Sequence, residues 1–360
     1  MNHKGHQEHK GEKTRKSWRP LEQACSAGLF LFCLLGVLGA LCGSFLSSAR
    51  AEPPHPGLAD TSASPHVIVR SVGLADVKWT EGFWASRLAV CRENLLPAMG
   101  RIMEGTEPSQ FLENFRIAAG LAEGRHRGPP FNDGECYKWL EATAAMYAAT
   151  RDPELDRQMD AAIRVIAQAQ RADGYLFTPV LIRQRSGDSK ARPFQNPTDF
   201  EMYNFGHLLT AACVHHRATG KDNFLRVALK AADFLDSAFQ KPTPELARQI
   251  CPSHYMGLVE LYRTTHDPRY LELARRLFDL RDQVRDGTDD NQDRIAFRRQ
   301  TRALGHAVRA NYLFAGAADL FAETGDRTLL PPLLALWENV ATQKMSITGG
   351  CGALYDGASP

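Results

Sequence analysis

Three histidines in this chain each follow a small residue: Gly206-His207, Ser253-His254 and Gly305-His306, spaced by 47 and 52 residues. Carboxylates and a phenol stand near comparable points. Phe131-Asn-Asp-Gly-Glu-Cys136 supplies Asp133 and Glu135, and Glu201 and Tyr203 lie just before Gly206. Imidazole, carboxylate and phenol groups around one pocket donate and accept hydrogen bonds and offer ring faces. That combination suits a polyhydroxylated ligand. Asp133 serves equally well as a helix cap, because aspartate accepts the free amides of a first helical turn.

The elements that must position these groups are helical. Apolar residues recur at helical spacing from Trp84 onward. Cys136, Leu140, Thr143 and Tyr147 share one face; Phe205, Leu208, Leu209 and Ala212 share another. Tyr255, Leu258, Val259 and Tyr262 repeat the pattern, as do Leu271, Ala274 and Phe278. Thr150-Arg-Asp-Pro153, Thr219-Gly-Lys-Asp222, Thr265-His-Asp-Pro268 and Thr324-Gly-Asp-Arg327 separate successive helical stretches. Aspartate before proline is a strong helix start, so each motif reads as the tight turn of an αα-hairpin. Intervals of 69, 46 and 59 residues are too loose for short solenoid repeats. They fit an all-α toroid of the (α/α)6 kind, in which inner and outer helices alternate. About ten helices are expected, leaving the ring incomplete at its C-terminal end. In a toroid the first helices of consecutive hairpins run parallel, roughly 10 Å apart. Their N-terminal ends share one mouth, where His207, His254 and His306 are expected together. Arg171-Ala-Asp-Gly-Tyr175 reads as the end of an outer helix, with Gly174 as its C-cap.

Residues 1–51 carry the order of a secretory signal. A basic cluster (Lys4, Lys10, Lys13, Arg15, Lys16, Arg19) precedes an apolar run from Ala27 to Leu46 and the site Ala49-Arg-Ala51. The alternative is an uncleaved anchor, since about 20 apolar residues can span a bilayer. The glycines at 36, 39 and 43 disfavour a permanent helix, so export to the periplasm or exterior, with Glu52 as the mature N-terminus, is the expectation. Leu41 before Cys42 does not suit lipidation, and His3, His6 and His9 read as a flexible tail. Residues 52–74 read as a linker with a short strand at 66–70, residues 75–350 as the toroid, and residues 351–360 as a truncated tail.

A formal net charge of +2 gives no polyanion-binding surface, and no nucleic-acid module is present. Hydrophobic content of 44% supports a real core, and no second apolar run is long enough to span a membrane. Beyond the signal the cysteines are Cys91, Cys136, Cys213, Cys251 and Cys351, with no Cys-x-x-Cys pair, which argues against a zinc ribbon or redox motif. Cys136 and Cys213 read as buried free thiols. The acidic stretch 286–293 lacks the glycine and terminal glutamate of a calcium loop and reads as a polar surface loop.

Six stretches in order resemble glycoside hydrolase family 127, the β-L-arabinofuranosidases. They are Asn132-Asp-Gly-Glu-Cys-Tyr-Lys-Trp-Leu-Glu-Ala142, Ala172-Asp-Gly-Tyr-Leu176, Glu201-Met-Tyr-Asn-Phe-Gly-His-Leu208, Pro252-Ser-His254, Gly305-His-Ala-Val-Arg-Ala310 and Met345-Ser-Ile-Thr-Gly-Gly350. The resemblance implies retaining hydrolysis of L-arabinofuranosides by a zinc-held cysteine nucleophile with a glutamate acid/base. It also implies sugar contacts at His254 and His306, and less directly at His207. The family's Glu-x-Cys and Cys-Cys pairs follow the Ile-Thr-Gly-Gly segment, and the chain ends ten residues after Gly350. No catalytic residue, metal ligand or cofactor is therefore assigned within these 360 residues; zinc is expected in a full-length relative. The expected substrate-binding set is His207, His254, His306, Glu201, Tyr203, Asp133 and Glu135, and the expected partner is a carbohydrate. The chain reads as the amino-terminal part of an exported glycoside hydrolase, inactive alone. Its rivals are a non-catalytic carbohydrate-binding remnant and another toroid enzyme, of the unsaturated glucuronyl hydrolase or sugar epimerase type. Asp133 and Asp199 would be the acids of the former, and His254 and His306 the groups of the latter.

Overall fold

The computed structural model describes residues 56–241 and 247–352. The proposed signal and cleavage site lie outside these residues, as do residues 353–360 of the tail. Twelve α-helices are present among the described residues. They are α1 (Gly82–Val90), α2 (Leu96–Glu104), α3 (Leu112–Ala119), α4 (Asn132–Thr150), α5 (Pro153–Ala169), α6 (Thr178–Arg185), α7 (Glu201–Thr219), α8 (Asn223–Ala238), α9 (His254–Thr265), α10 (Pro268–Arg281), α11 (Ala307–Thr324) and α12 (Leu330–Gln343). A single π-type turn, Cys91–Leu95, joins α1 to α2. The chain is all-α, built as the two helical layers of a toroid. In the inner layer α7 packs along α4 on one side and α9 on the other, and α9 packs on α11. Each inner helix is followed by its outer partner: α5, α8, α10 and α12.

The two layers differ as their surroundings require. Outer helices α5 and α8 bury one stripe each, Leu155, Met159, Ala162, Ile163 and Ile166 in the first and Phe224, Val227, Ala228, Ala231 and Leu235 in the second. Inner helix α7 is covered nearly all round, from Glu201 to His215. The α7–α9 crossing is close because Gly206 faces Ser253 and the His254 amide, and Gly257 faces the Gly206 carbonyl. A Cβ at either glycine would lie within 2.3–2.5 Å of those atoms. Ser253 Oγ donates to the Tyr203 carbonyl across the same crossing. Cys136 and Cys213 are fully buried free thiols, as expected.

The four hairpin turns share one construction. The threonine hydroxyls of Thr150, Thr219, Thr265 and Thr324 each donate to the carbonyl four residues back. Each also accepts the amide two residues on. The residue after the threonine is left-handed: Arg151, Gly220, His266 or Gly325. Its amide closes the last helical turn. Asp152 and Asp267 then cap α5 and α10 through the Glu154 and Arg269 amides, at 3.0 Å each.

Two local expectations are corrected. No strand forms at 66–70; Ile68 and Val69 are 99% and 84% exposed, and the His66 amide donates to the Ala322 carbonyl. A β-branched run needs a neighbouring strand to take its ladder, and no described strand lies beside it. Gly174 is not the cap of α5, which ends at Ala169. It sits in a separate turn, φ +96°, in which its amide donates to the Arg171 carbonyl. Its position packs on the Lys230 carbonyl, where a Cβ would not fit.

Candidate functional site

The first turn of α4 sends its acids in different directions. Asp133 is buried, and its two carboxylate oxygens accept from the Thr178 amide and hydroxyl, at 2.7 Å each. It caps α6 rather than its own helix. Burial pushes its carboxyl up to about 7, against the Thr178 hydrogen bonds that favour ionisation. The Gly134 amide is taken across the layer by Asn204 Oδ1 of α7, at 2.6 Å. Glu201 is similarly enclosed: Oε1 accepts the Phe194 amide and Oε2 the Tyr175 hydroxyl, at 2.7 Å each. Burial raises it to about 8. Asp133 and Glu201 are thus both engaged in internal hydrogen bonds to neighbouring segments. Asp199 accepts from Asn196 Nδ2 at 2.7 Å.

Glu135, on the neighbouring face of α4, does meet the other expected groups. Its Oε1 pairs with Lys138 Nζ at 2.7 Å and accepts from Tyr203 Oη at 3.1 Å. The Lys138 ammonium lies 5.5 Å from the centre of the Tyr203 ring, a cation–π contact. Tyr203 meets His207 edge to face, with ring centres 4.5 Å apart. His207 Nε2 lies 3.1 Å from Tyr312 Oη of α11, and the Tyr203 and Tyr312 rings are 6.0 Å apart. Cys251, just before α9, is electrostatically coupled to Lys138 and Arg309 and to both tyrosines. One polar cluster thus joins α4, α7, the start of α9 and α11.

The charge state of this cluster follows from burial. His207 is 5% exposed, and desolvation with the nearby Lys138 holds its pKa down to about 3. Burial raises the Tyr203 phenol far above its ordinary value, and Tyr312 to about 12. Neutral imidazole and neutral phenols therefore stand behind the Glu135–Lys138 pair. Each can donate or accept, which suits hydroxyl groups. Glu135, Lys138 and Tyr312 are the half-buried members of the cluster.

The three histidines do not occupy equivalent positions. His254 is the first residue of α9 and His306 directly precedes α11, but His207 is the seventh residue of α7. Helix α7 starts earlier than the small-residue rule implies, at Glu201 after a left-handed Phe200. At 1.5 Å per residue His207 lies about 9 Å along its helix. His254 is buried against Tyr255, ring centres 4.1 Å apart, with Arg281 acting on it electrostatically. Its Nδ1 has no hydrogen-bond partner among the described residues. The His306 amide donates to the Asp290 carbonyl, and its own carbonyl accepts from Gln292 Nε2. The cluster therefore gathers Glu135, Tyr203 and His207 from the expected set. Lys138, Tyr312, Arg309 and Cys251 were not expected. Lys138 lies three residues after Glu135 in the same motif, and Tyr312 lies six after His306. For Lys138 the helical spacing from Glu135 was the available signal; Tyr312, six residues from His306, had none.

The donor set does not fit a metal-held thiolate. Among the described residues no group of three or more histidine, cysteine and carboxylate side chains could hold a metal. The Cys251 thiol faces the Arg309 cation, and burial pushes its pKa up to about 11.

Comparison with known proteins agrees with this frame. The family profile described as β-L-arabinofuranosidase, GH127 catalytic domain, matches residues 76–359. The non-reducing end β-L-arabinofuranosidase of Bifidobacterium longum subsp. longum is 31% identical, the match covering 79% of this chain and 49% of that protein. A solved family 127 β-L-arabinofuranosidase from Geobacillus stearothermophilus T6 superposes with a TM-score of 0.70 at 33% identity, over 79% of this chain and 48% of its own. A solved glycoside hydrolase with 45% identity gives 0.65, over 83% of this chain and 42% of its own. The chain thus spans about half the length of these relatives. With its profile match across most of the chain and its helical layers shared with solved members, the protein belongs to glycoside hydrolase family 127.

Proposed function

We propose that this chain is the exported, sugar-binding part of a β-L-arabinofuranosidase-like hydrolase, and that the Glu135–Lys138–Tyr203–His207–Tyr312 cluster receives the sugar. The observation that carries the reading is the joining of three inner helices by neutral hydrogen-bonding rings behind one carboxylate–ammonium pair. The proposed ligand is an L-arabinofuranoside end, by analogy with the relatives. Export follows from the signal order in residues 1–51, with cleavage after Ala51. The chain on its own is proposed to bind without hydrolysing, because its only thiol in the cluster faces a guanidinium. Two measurements on the full chain test this. Calorimetric titration with methyl β-L-arabinofuranoside should give saturable binding, weakened several-fold by Glu135→Gln. A chromogenic β-L-arabinofuranoside should remain uncleaved. Absence of binding overturns the site, and turnover overturns the proposed lack of catalysis.

A further inference from the structure

Residues 58–66, ahead of the first helix, cross the C-terminal ends of three inner helices in chain order. The Leu58 carbonyl accepts from Arg217 Nη2 of α7 at 2.6 Å. The Asp60 amide donates to Glu260 Oε1 of α9 at 2.9 Å. Ser64 Oγ donates to Glu323 of α11, and the His66 amide to the Ala322 carbonyl at 3.2 Å. The His66 ring rests on Phe321, centres 6.3 Å apart. Beneath this strap the same side chains form an ion cluster. Arg217 pairs with Glu260 at 2.7 Å; Arg263 pairs with Glu260, Asp319 and Glu323 at 3.2, 2.7 and 2.6 Å. Except for Asp319, these side chains are at most 5% exposed. Breaking a buried pair of this kind is costly because the remaining charge is stranded.

We propose that the strap is the floor of the inner wall: it closes the end opposite the sugar cluster, so that a glycan enters from the mouth alone and presents a chain terminus. The selection of termini rests on the sugar-binding reading above; the closure does not. Without the strap, Arg217, Glu260 and Glu323 would each lose a partner and face solvent at the end of the inner layer. With it, Arg217 Nη2, Glu260 Oε1 and Glu323 gain partners and are covered, and Arg217 Nε and Arg263 Nη2 are left without a hydrogen-bond partner among the described residues. The segment thus acts on which part of a glycan can be accommodated, without touching the sugar.

Cys213 reports on this floor. It lies one turn before Arg217 on α7, fully buried, and is coupled to Arg217, Glu260 and Thr264. Cys136, fully buried near the start of α4, reports on the opposite end. In Ser64→Asp a new carboxylate would confront Glu323 in a cluster that already holds more acids than bases. The experiment is maleimide labelling of the native full chain and this variant, read cysteine by cysteine by peptide mass spectrometry. The expected result is a rise of at least about tenfold at Cys213 with Cys136 unchanged. Ser64→Ala, which removes one hydrogen bond and adds no charge, should raise Cys213 labelling less. An unchanged Cys213 overturns the closure. A parallel rise at both cysteines also overturns it, since the strap would then be inseparable from the whole fold. No sugar is present in this measurement, so its outcome is independent of the titration above.

Discussion

At the scale of single residues, the cluster works by desolvation. His207 is enclosed by Tyr203, Tyr312 and its own helix, so it stays neutral where a free histidine would begin to protonate. Its ring resonances should not titrate between pH 5 and 8 in an NMR experiment, whereas a transition near 6.5 would mean the ring reaches water. Tyr312→Phe removes the hydroxyl that His207 holds. A neutral hydrogen bond contributes about 1 kcal/mol, so sugar affinity should fall roughly fivefold, and loss of the His207 contact should lower the melting temperature by a few degrees. An unchanged affinity would place the ligand away from Tyr312. Glu135, Tyr203 and His207 were legible as site candidates because polar groups at helix starts stand out from an apolar background. Asp133 and Glu201 were equally visible, but their internal hydrogen bonds depend on Thr178, Tyr175 and Phe194, partners that no local spacing reveals.

At the scale of elements, the hairpin turns were the most readable part of the chain. Thr-x-Asp-Pro specifies a C-terminal hydroxyl bond, a left-handed residue and an N-cap within four positions. Asp267→Ala should cost about 1 kcal/mol by removing the cap on the Arg269 amide. His266, an exposed non-glycine residue at φ +58°, predicts the opposite effect. His266→Gly should stabilise by about 1 kcal/mol, because a Cβ is disfavoured in the left-handed region. Denaturant melts of both variants check these signs; a destabilised His266→Gly would mean that the imidazole makes a compensating contact. The beginning of α7 was less readable. Met202, Tyr203 and Phe205 extend its apolar pattern ahead of Gly206, and the helix starts at Glu201, so His207 falls nearly two turns in. The run at 66–70 misled for a related reason: β-branched residues favour extended backbone, but only a partner strand makes that a sheet.

At the scale of the whole molecule, burial sets a pH response with opposing parts. Asp133, Glu141, Glu201 and Asp319 are raised to about 7, 7, 8 and 6, chiefly by desolvation. Their contribution to stability is full below the unfolded carboxylate range near about 4 and is lost as the pH rises through those folded values. His207, His254, His126 and His215 are depressed to about 3, 3, 4 and 4. They contribute above the unfolded value of about 6.5, and lose that contribution as the pH falls. The two sets oppose each other between about 4 and 6.5; above that only the carboxylates change. The melting temperature should therefore fall from pH 6.5 to 8.5, and a flat profile would mean that water reaches these acids. The helical class of the molecule was legible from periodicity. The strap was not, because Leu58, Asp60 and Ser64 carry no periodic pattern and find their partners some 160 to 260 residues away. The most direct test of the proposed site is a crystal of the full chain soaked with methyl β-L-arabinofuranoside. The account predicts sugar density within hydrogen-bond distance of Glu135 and Tyr312; density confined to any other surface would contradict it.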